Sequence, residues 1–250
     1  LHQAVSWILF AAVCASSGSS STAAHAAYAN PITWADISAL DLRPAFRSQY
    51  GSEGNLYEPA IPDSAIDLVL RDADSRVSSP FRVPMELKAA TRFWLKIYVE
   101  YTTHHVVIFD EHHPEVVYEV LDFRQLATTA RNRMVYEILR KKKVTQTMAA
   151  YHKAFSKLAR NPKPKNPSRE EGLILASTKL LGHKHPFKEF DKNLRSQTGQ
   201  RDNIVKGLIA AETFFPKMER LFLNMRVPIE LTRLTLVESS FNLSAKSRVG

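Results

Sequence analysis

Three prolines within residues 161–167 (NPKPKNP) are the feature that most restricts how this chain can fold. Proline fixes φ and has no amide hydrogen, so neither a helix nor a central strand can cross this stretch. A helical pattern with strong basic bias precedes it, from residue 122 to about 160. After it, Ser168 is followed three residues later by Glu171, which is a capping-box pattern. We expect one helix to end before the prolines and another to run from Ser168 to about Gly182.

Helical periodicity continues on both sides of a short β-rich region. After Pro84, one face of a predicted helix carries four apolar residues: Leu87, Trp94, Ile97 and Tyr101. The β-rich runs 106–109 and 116–118 flank a polar stretch, which predicts a hairpin.

Three later helices are predicted from their first residues. Asp202 is a candidate N-cap for a helix that ends near Thr213. Pro216 and Pro228 fit the first turns of two further helices, and the first of these ends near Asn224. The expected fold class is therefore mostly α, with a small β-hairpin.

The charge of the chain favours an anionic partner. The formal net charge is +9, and residues 1–26 contain no Lys, Arg, Asp or Glu. Eleven Lys or Arg but only one acid, Glu137, lie between residues 131 and 165, with 140–143 (RKKK) at their centre. A solvated basic face, a site for anionic cell-wall polymer and a nucleic-acid site are all compatible with this stretch. No nucleic-acid-binding motif accompanies it.

Metal and disulfide chemistry receive little support. Cys14 is the only cysteine, which excludes an internal disulfide and a cysteine-based zinc site. The pairs His104-His105 and His112-His113, with Asp110 and Glu111 between them, could bind a metal or form a solvated polar turn. Because no recognised ligand spacing is present, we favour the turn and predict neither a metal nor a cofactor.

The N-terminus has the pattern of an export signal. Residues 4–15 (AVSWILFAAVCA) are apolar and of signal-core length, and Ala24-His25-Ala26 fits cleavage after Ala26. A buried helix or a short anchor is the alternative. The chain starts at Leu1 without a basic region, so we expect the true N-terminus to lie upstream. Val13 before Cys14 fits a lipoprotein poorly, which favours a soluble product over a lipid-anchored one.

The residue spacing near the C-terminus places an acid on an apolar stripe. Leu231, Leu234 and Glu238 would share one face of a continuous helix. A buried carboxyl group tends to keep its proton, and a protonated carboxyl can donate that proton to a glycosidic oxygen. The spacing thus makes Glu238 a candidate general acid. The alternative is an acid that turns to solvent or pairs with Arg248.

The same region carries a family resemblance. Residues 237–242 (VESSFN), followed by Ala245, Ser247 and Gly250, resemble the first signature of lysozyme-like lytic transglycosylases. The preceding 227–231 (VPIEL) resembles the start of that helix in the membrane-bound lytic murein transglycosylase D type. Residues 195–202 (RSQTGQRD) also resemble that type, and residues 93–123 do so more loosely. The resemblance covers roughly residues 80–250.

The resemblance implies an enzyme that cleaves peptidoglycan. Glu238 would be the sole catalytic acid/base at the MurNAc–GlcNAc β-1,4 bond, with formation of a 1,6-anhydroMurNAc end. Ser239 would support the acid or bind substrate weakly, whereas Asn242, Ser244 and Ser247 are expected in turns and caps. The implied location is the periplasm of a Gram-negative bacterium, and association with the outer membrane is left open.

The resulting domain map has four parts. Residues 1–26 form the signal peptide, 27–80 an extended arm with one short helix near 62–74, and 81–200 a mostly helical region. Residues 201–250 would begin a lysozyme-like α-helical domain of the α+β class. In the family this domain continues with a Gly-Ala-x-Gly-Leu-Trp-Gln segment, so the 250-residue chain alone is expected to be inactive. The alternative function is a non-catalytic, exported peptidoglycan-associated protein; the export signal argues against nucleic-acid binding.

Overall fold

The computed structural model of the chain describes residues 33, 63–72, 77, 81–181 and 186–242. The predicted signal peptide and most of the predicted arm lie outside these residues. No helix among the described residues has both the length and the apolar character that crossing a bilayer requires.

Helices dominate the described part of the chain, as predicted, and a small sheet accompanies them. In chain order the α-helices and strands are α1 (Asp63–Arg71), α2 (Lys88–Val99), β1 (His105–Asp110), β2 (Val117–Asp122), α3 (Arg124–Thr129), α4 (Arg133–Arg160), α5 (Arg169–Thr178), α6 (Phe187–Asn193), β3 (Leu194–Thr198), α7 (Arg201–Ala211), α8 (Phe215–Asn224) and α9 (Leu234–Ser239). Three short 3₁₀ helices add Met85–Leu87, Lys179–Leu181 and Ile229–Arg233.

The chain packs into two units. Residues 101–199 form one continuous unit, here called the inserted unit. The described residues up to Glu100 and those from Gln200 onward together form the other, here called the split unit. This differs from the predicted division, which grouped residues 81–100 with the segment up to 200. The division differs because two helices that are far apart in the sequence pack together. Leu95 and Val99 of α2 share a core with Ile204 and Leu208 of α7.

The inserted unit is built around β1. The strand order is β2-β1-β3, and both pairings are antiparallel, with Val107 opposite Val120 on one side and Gln197 on the other. The predicted hairpin is therefore confirmed, whereas β3 was not predicted. Tyr151 and Phe155 of α4 bring the long helix into the core beneath the sheet.

Local signals set the helix ends in the inserted unit. Helix α4 ends at Arg160, directly before the proline-rich linker, and Ser168 and Glu171 form both halves of a capping box. The predicted continuous helix over 122–160 is instead broken. Asn132 forms a new N-cap there, because its side chain accepts a hydrogen bond from the Val135 amide at 3.0 Å.

Two predictions for the split unit were wrong in detail. Leu87 is exposed and Tyr101 lies beyond the end of α2, so the expected apolar face is not the buried one. The helix is instead buried on several sides, through Thr91, Phe93, Leu95, Ile97 and Val99. Gln200, not Asp202, is the N-cap residue of α7. Asp202 lies in the first turn and is buried.

Candidate active site

Glu238 lies on the last turn of α9, and its side chain is exposed. The predicted buried stripe is therefore wrong. Leu231 belongs to a 3₁₀ helix that ends at Arg233, and α9 begins only at Leu234. Leu231 and Leu234 are themselves only half-buried, so the face that carries Glu238 is not the one that packs into the core. The structure matches the alternative in which the acid faces solvent; Arg248 lies outside the described residues.

The backbone after Glu238 makes a sharp left-handed turn. Ser240 and Phe241 have φ values of 50° and 56°, which residues other than glycine, asparagine and aspartate adopt rarely. Three backbone hydrogen bonds hold the turn: Ser240 N–H to Leu236 O, Phe241 N–H to Thr235 O, and Asn242 N–H to Ser239 O.

Phe241 anchors this turn in the core of the split unit. Its side chain is buried, and its ring centroid lies 5.5 Å from those of both Phe214 and Phe215. Burying a phenylalanine contributes roughly 1.5–3 kcal/mol, which offsets much of the cost of the two left-handed residues, roughly 1–2 kcal/mol each. The anchor therefore supports the unusual backbone that follows the candidate acid.

Helix α7 supplies the surface against which the turn rests. Gly207 is buried in that helix, and a Cβ at this position would lie 2.7 Å from the carbonyl carbon of Ser240. That separation is too short for real carbon atoms, so only glycine allows α7 to approach the turn this closely. The backbone of α7 at Gly207 thus packs directly against the backbone at the end of α9.

A buried ion pair supports the start of α9. The guanidinium of Arg233 donates a hydrogen bond to the carboxylate of Glu219 on α8, and both side chains are buried. The same guanidinium lies 4.8 Å above the centroid of the Phe215 ring and donates to Thr232 Oγ1 at 2.9 Å. These contacts join α8 and the 3₁₀ helix, whose last residue directly precedes α9, through one side chain.

Burial separates Glu238 from the other acids of this segment. Between residues 215 and 242 the acids are Glu219, Glu230 and Glu238. Glu219 and Glu230 are buried, whereas Glu238 is exposed. Glu238 is therefore the one acid of these described residues that a polymer arriving from solvent could reach directly.

Tyr98 of α2 is electrostatically coupled to Glu238. Burial raises the pKa of the Tyr98 phenol above its usual value, and the negative charge of Glu238 raises it further. The ring of Tyr98 packs on the core and lies 6.1 Å from the Trp94 ring, centroid to centroid. No local sequence signal points to Tyr98, since it lies 140 residues before Glu238 and no motif links the two.

Ser239, the predicted weak substrate contact, uses its hydroxyl proton within its own helix. Its Oγ donates to the Thr235 carbonyl at 3.2 Å, so the oxygen keeps only acceptor capacity for a ligand. Asn242 follows in the turn, as expected, while Ser244 and Ser247 lie outside the described residues.

The histidine pairs of the inserted unit take part in local structure. The amides of His112 and His113 both donate to Asp110 Oδ1, at 2.9 and 2.8 Å, which closes the turn between β1 and β2. His104 Nδ1 lies 2.8 Å from the Tyr136 hydroxyl. Among the described residues, no cluster of His, Cys, Asp and Glu has the arrangement of a metal site.

Comparison with known protein families, with curated proteins and with solved structures finds no match to this chain.

Proposed function

We propose that this chain contributes the catalytic acid of a lytic transglycosylase that cleaves peptidoglycan, and that the acid is Glu238. The observation that carries the proposal is the exposed carboxylate at the end of a helix whose following turn is held by buried contacts. The resemblance of residues 227–242 to the transglycosylase signature assigns the chemistry to that carboxylate.

In the proposed reaction one carboxyl group acts twice. Protonated Glu238 gives its proton to the bridging oxygen as the bond from MurNAc C1 to that oxygen breaks, so GlcNAc leaves with a free 4-hydroxyl. The resulting carboxylate then accepts the proton of the MurNAc 6-hydroxyl as O6 bonds to C1. Glu238 ends protonated again, a 1,6-anhydro ring forms, and no water is consumed. A second carboxylate nucleophile, which retaining glycosidases require, has no role.

Two features of the described residues support this assignment. Consecutive non-glycine residues in the left-handed region, Ser240 and Phe241, directly follow the acid. Strained backbone persists only where the surrounding structure enforces it, and such positions cluster at functional sites. Glu219 and Glu230 are buried, which leaves Glu238 as the accessible acid of the segment.

The exposure of Glu238 sets a requirement on substrate binding. A carboxyl group open to water is a poor proton donor near neutral pH, because water stabilises its charged form. A glycan strand that covers the end of α9 would remove that water and favour the protonated form. The bound polymer would therefore supply the desolvation of Glu238 that the described residues do not.

The test uses the protein encoded by the whole reading frame, because, in the family that residues 227–242 resemble, the catalytic domain includes further segments after this signature. Purified wild-type protein and its Glu238→Gln variant are incubated with murein sacculi, and released 1,6-anhydromuropeptides are identified by mass spectrometry. We expect release by the wild type and a loss of at least about a hundredfold in the variant, the order of magnitude for removing a general acid. Glu212→Gln, an exposed acid in the same unit, is the matched control and should retain activity.

Other results would redirect the assignment. Equal release by the Glu238→Gln variant would remove Glu238 from the chemistry. Binding of sacculi without cleavage by the wild-type protein would favour the non-catalytic, peptidoglycan-associated alternative. The proposed export is tested separately, by sequencing the N-terminus of the secreted protein: a start at Ala27 supports it.

A further inference from the structure

We propose that the first half of α4, residues 133–143, is a peripheral membrane-binding surface for an anionic phospholipid bilayer. Three large apolar side chains here are exposed to solvent: Met134 by 73%, Ile138 by 58% and Leu139 by 42%. They occur within six residues of one helix and belong to the inserted unit, whereas Glu238 belongs to the split unit.

These side chains are not part of the core of the inserted unit. The core-facing side of α4 is formed by other residues, among them Tyr136, Tyr151, Phe155 and Leu158, which are buried. The helix therefore carries apolar residues on two sides, and only one side packs against the unit. Single exposed apolar residues are normal, but several large ones close together mark an interaction surface.

An excess of positive charge surrounds the exposed apolar group. Residues 131–143 contain six Lys or Arg and one acid. That acid, Glu137, lies 3.8 Å from Arg140, which also donates to Thr198 at 2.8 Å. Lys141, Lys142 and Lys143 are exposed and form no ion pair with the described part of the chain. Their charge is available to an outside partner.

Helical geometry brings the two kinds of side chain together. Met134, Ile138 and Lys142 are spaced four residues apart, so they follow one line along the exposed side of α4. Lys141 and Lys143 lie beside that line. Lysine stems can lie along an apolar surface while their ammonium groups reach outward to charged groups.

The combination favours a bilayer over a hydrated polyanion. Nucleic acid or an anionic wall polymer could neutralise the lysines but would offer no apolar phase to Met134, Ile138 and Leu139. The interface of an anionic bilayer offers both, since a helix lying in it buries its apolar face about 5–10 Å into the boundary between headgroups and acyl chains. Each lysine near such a surface contributes attraction, and each apolar side chain gains by leaving water.

Vesicle co-sedimentation with the whole chain tests this proposal. Parent protein is mixed with vesicles of phosphatidylglycerol and phosphatidylethanolamine, or of phosphatidylcholine alone, at low ionic strength. The apolar variant is Met134→Ser/Ile138→Ser, and the charge variant is Lys141→Gln/Lys142→Gln. Matched controls remove the same residue types elsewhere: Leu221→Ser/Leu223→Ser, whose leucines are also exposed, and Lys163→Gln/Lys165→Gln. Circular dichroism verifies that each variant is folded.

We expect preferential partition of the parent onto the anionic vesicles. The apolar variant should partition on the order of tenfold less, and the charge variant on the order of thirtyfold less at low salt. Both controls should resemble the parent, and so should Glu238→Gln, since that residue is in the other unit. An apolar variant that binds as the parent does, with loss only in the charge variant, would overturn the bilayer in favour of a polyanion. Absence of parent binding, or equal loss in the controls, would also overturn the proposal.

Discussion

Gly207 lies directly against the backbone carbonyl of Ser240, so that helix α7 and the turn after Glu238 touch without an intervening side chain. The contact joins two segments 33 residues apart and fixes the end of the helix that carries the candidate acid. The same contact leaves no room for a side chain at position 207.

Gly207→Ala should destabilise the split unit. Alanine is intrinsically favoured over glycine in a helix by about 1 kcal/mol, but its methyl group would overlap the Ser240 backbone. We expect a net loss of roughly 1–3 kcal/mol, typical of overpacking. Gly172→Ala on α5 is the matched control, because the added Cβ would meet nothing within 4 Å beyond the adjoining backbone of its own helix. Calorimetry should show stabilisation by that change; destabilisation by both changes would contradict the steric explanation.

Arg233 and Glu219 should contribute to the free energy of unfolding as a pair rather than independently. Replacing Arg233 by Met leaves the buried Glu219 carboxylate without its cation, which typically costs about 3–5 kcal/mol. Glu219→Leu alone should be similarly harmful, because it leaves the buried guanidinium unpaired. The double variant should be clearly more stable than the sum of the two losses implies. Urea unfolding measures all three, and strictly additive losses would show that the two side chains do not act as a pair.

Tyr98 should report the charge state of residue 238. Glu238→Gln removes one of the two causes of the raised Tyr98 pKa, so the pKa should fall. It should remain above the usual tyrosine value, because burial, the larger cause, is unchanged. Titration of ¹³C-labelled tyrosines by NMR measures the shift, and Tyr98→Phe assigns the signal. Glu212→Gln should leave the Tyr98 pKa unchanged. An unchanged Tyr98 pKa in the Glu238→Gln variant would show that the charge of Glu238 does not act on Tyr98.

Tyr151 predicts how the inserted unit responds to alkali. Burial and the nearby Glu119 raise the pKa of Tyr151 in the folded state above that in the unfolded chain. The unfolded chain therefore releases the phenolic proton first, so this stabilisation is complete below about pH 10 and is lost at higher pH. Tyr151→Phe should flatten the fall in the free energy of unfolding above that pH. The variant also loses the 3.1 Å hydrogen bond to Glu119, at a cost of about 1 kcal/mol near neutral pH.

Loss of the capping box of α5 should reduce stability less than loss of the buried ion pair. Ser168→Ala removes the oxygen that accepts from the Glu171 amide at 3.3 Å, and should destabilise the inserted unit by about 1 kcal/mol. Ser156→Ala, at an exposed interior position of α4, is the control and should be neutral or slightly stabilising. Equal effects of the two changes in chemical denaturation would show that the cap does not stabilise the helix.

Local sequence signals predicted the elements that depend on neighbouring residues. The proline-rich linker ends α4, Ser168 and Glu171 cap α5, and the β-rich runs around the polar turn at Asp110 form the predicted hairpin. In each case the deciding interaction joins residues within a few positions of one another. Steric limits on proline and hydrogen bonds of a cap are expressed directly in the order of residues.

Features that depend on distant residues could not be predicted in the same way. Strand β3 (LRSQT) has little β character and forms because it completes the second edge of β1. The packing of α2 against α7 likewise leaves no local pattern, because residues 101–199 separate the two helices in the sequence. Asp202 has the chemistry of an N-cap, yet Gln200 occupies that position and Asp202 is buried.

The candidate site combines both kinds of information. The sequence by itself determined the motif around Glu238, the charge excess of α4 and the helix-ending signals, because each is written in adjacent residues. Only the tertiary structure decided that Glu238 faces solvent and is coupled to Tyr98, and that Gly207 supports the turn beyond it. Exposure and contact depend on how separate segments pack, and that packing buries Leu236 of α9 rather than the face that periodicity assigned to the acid.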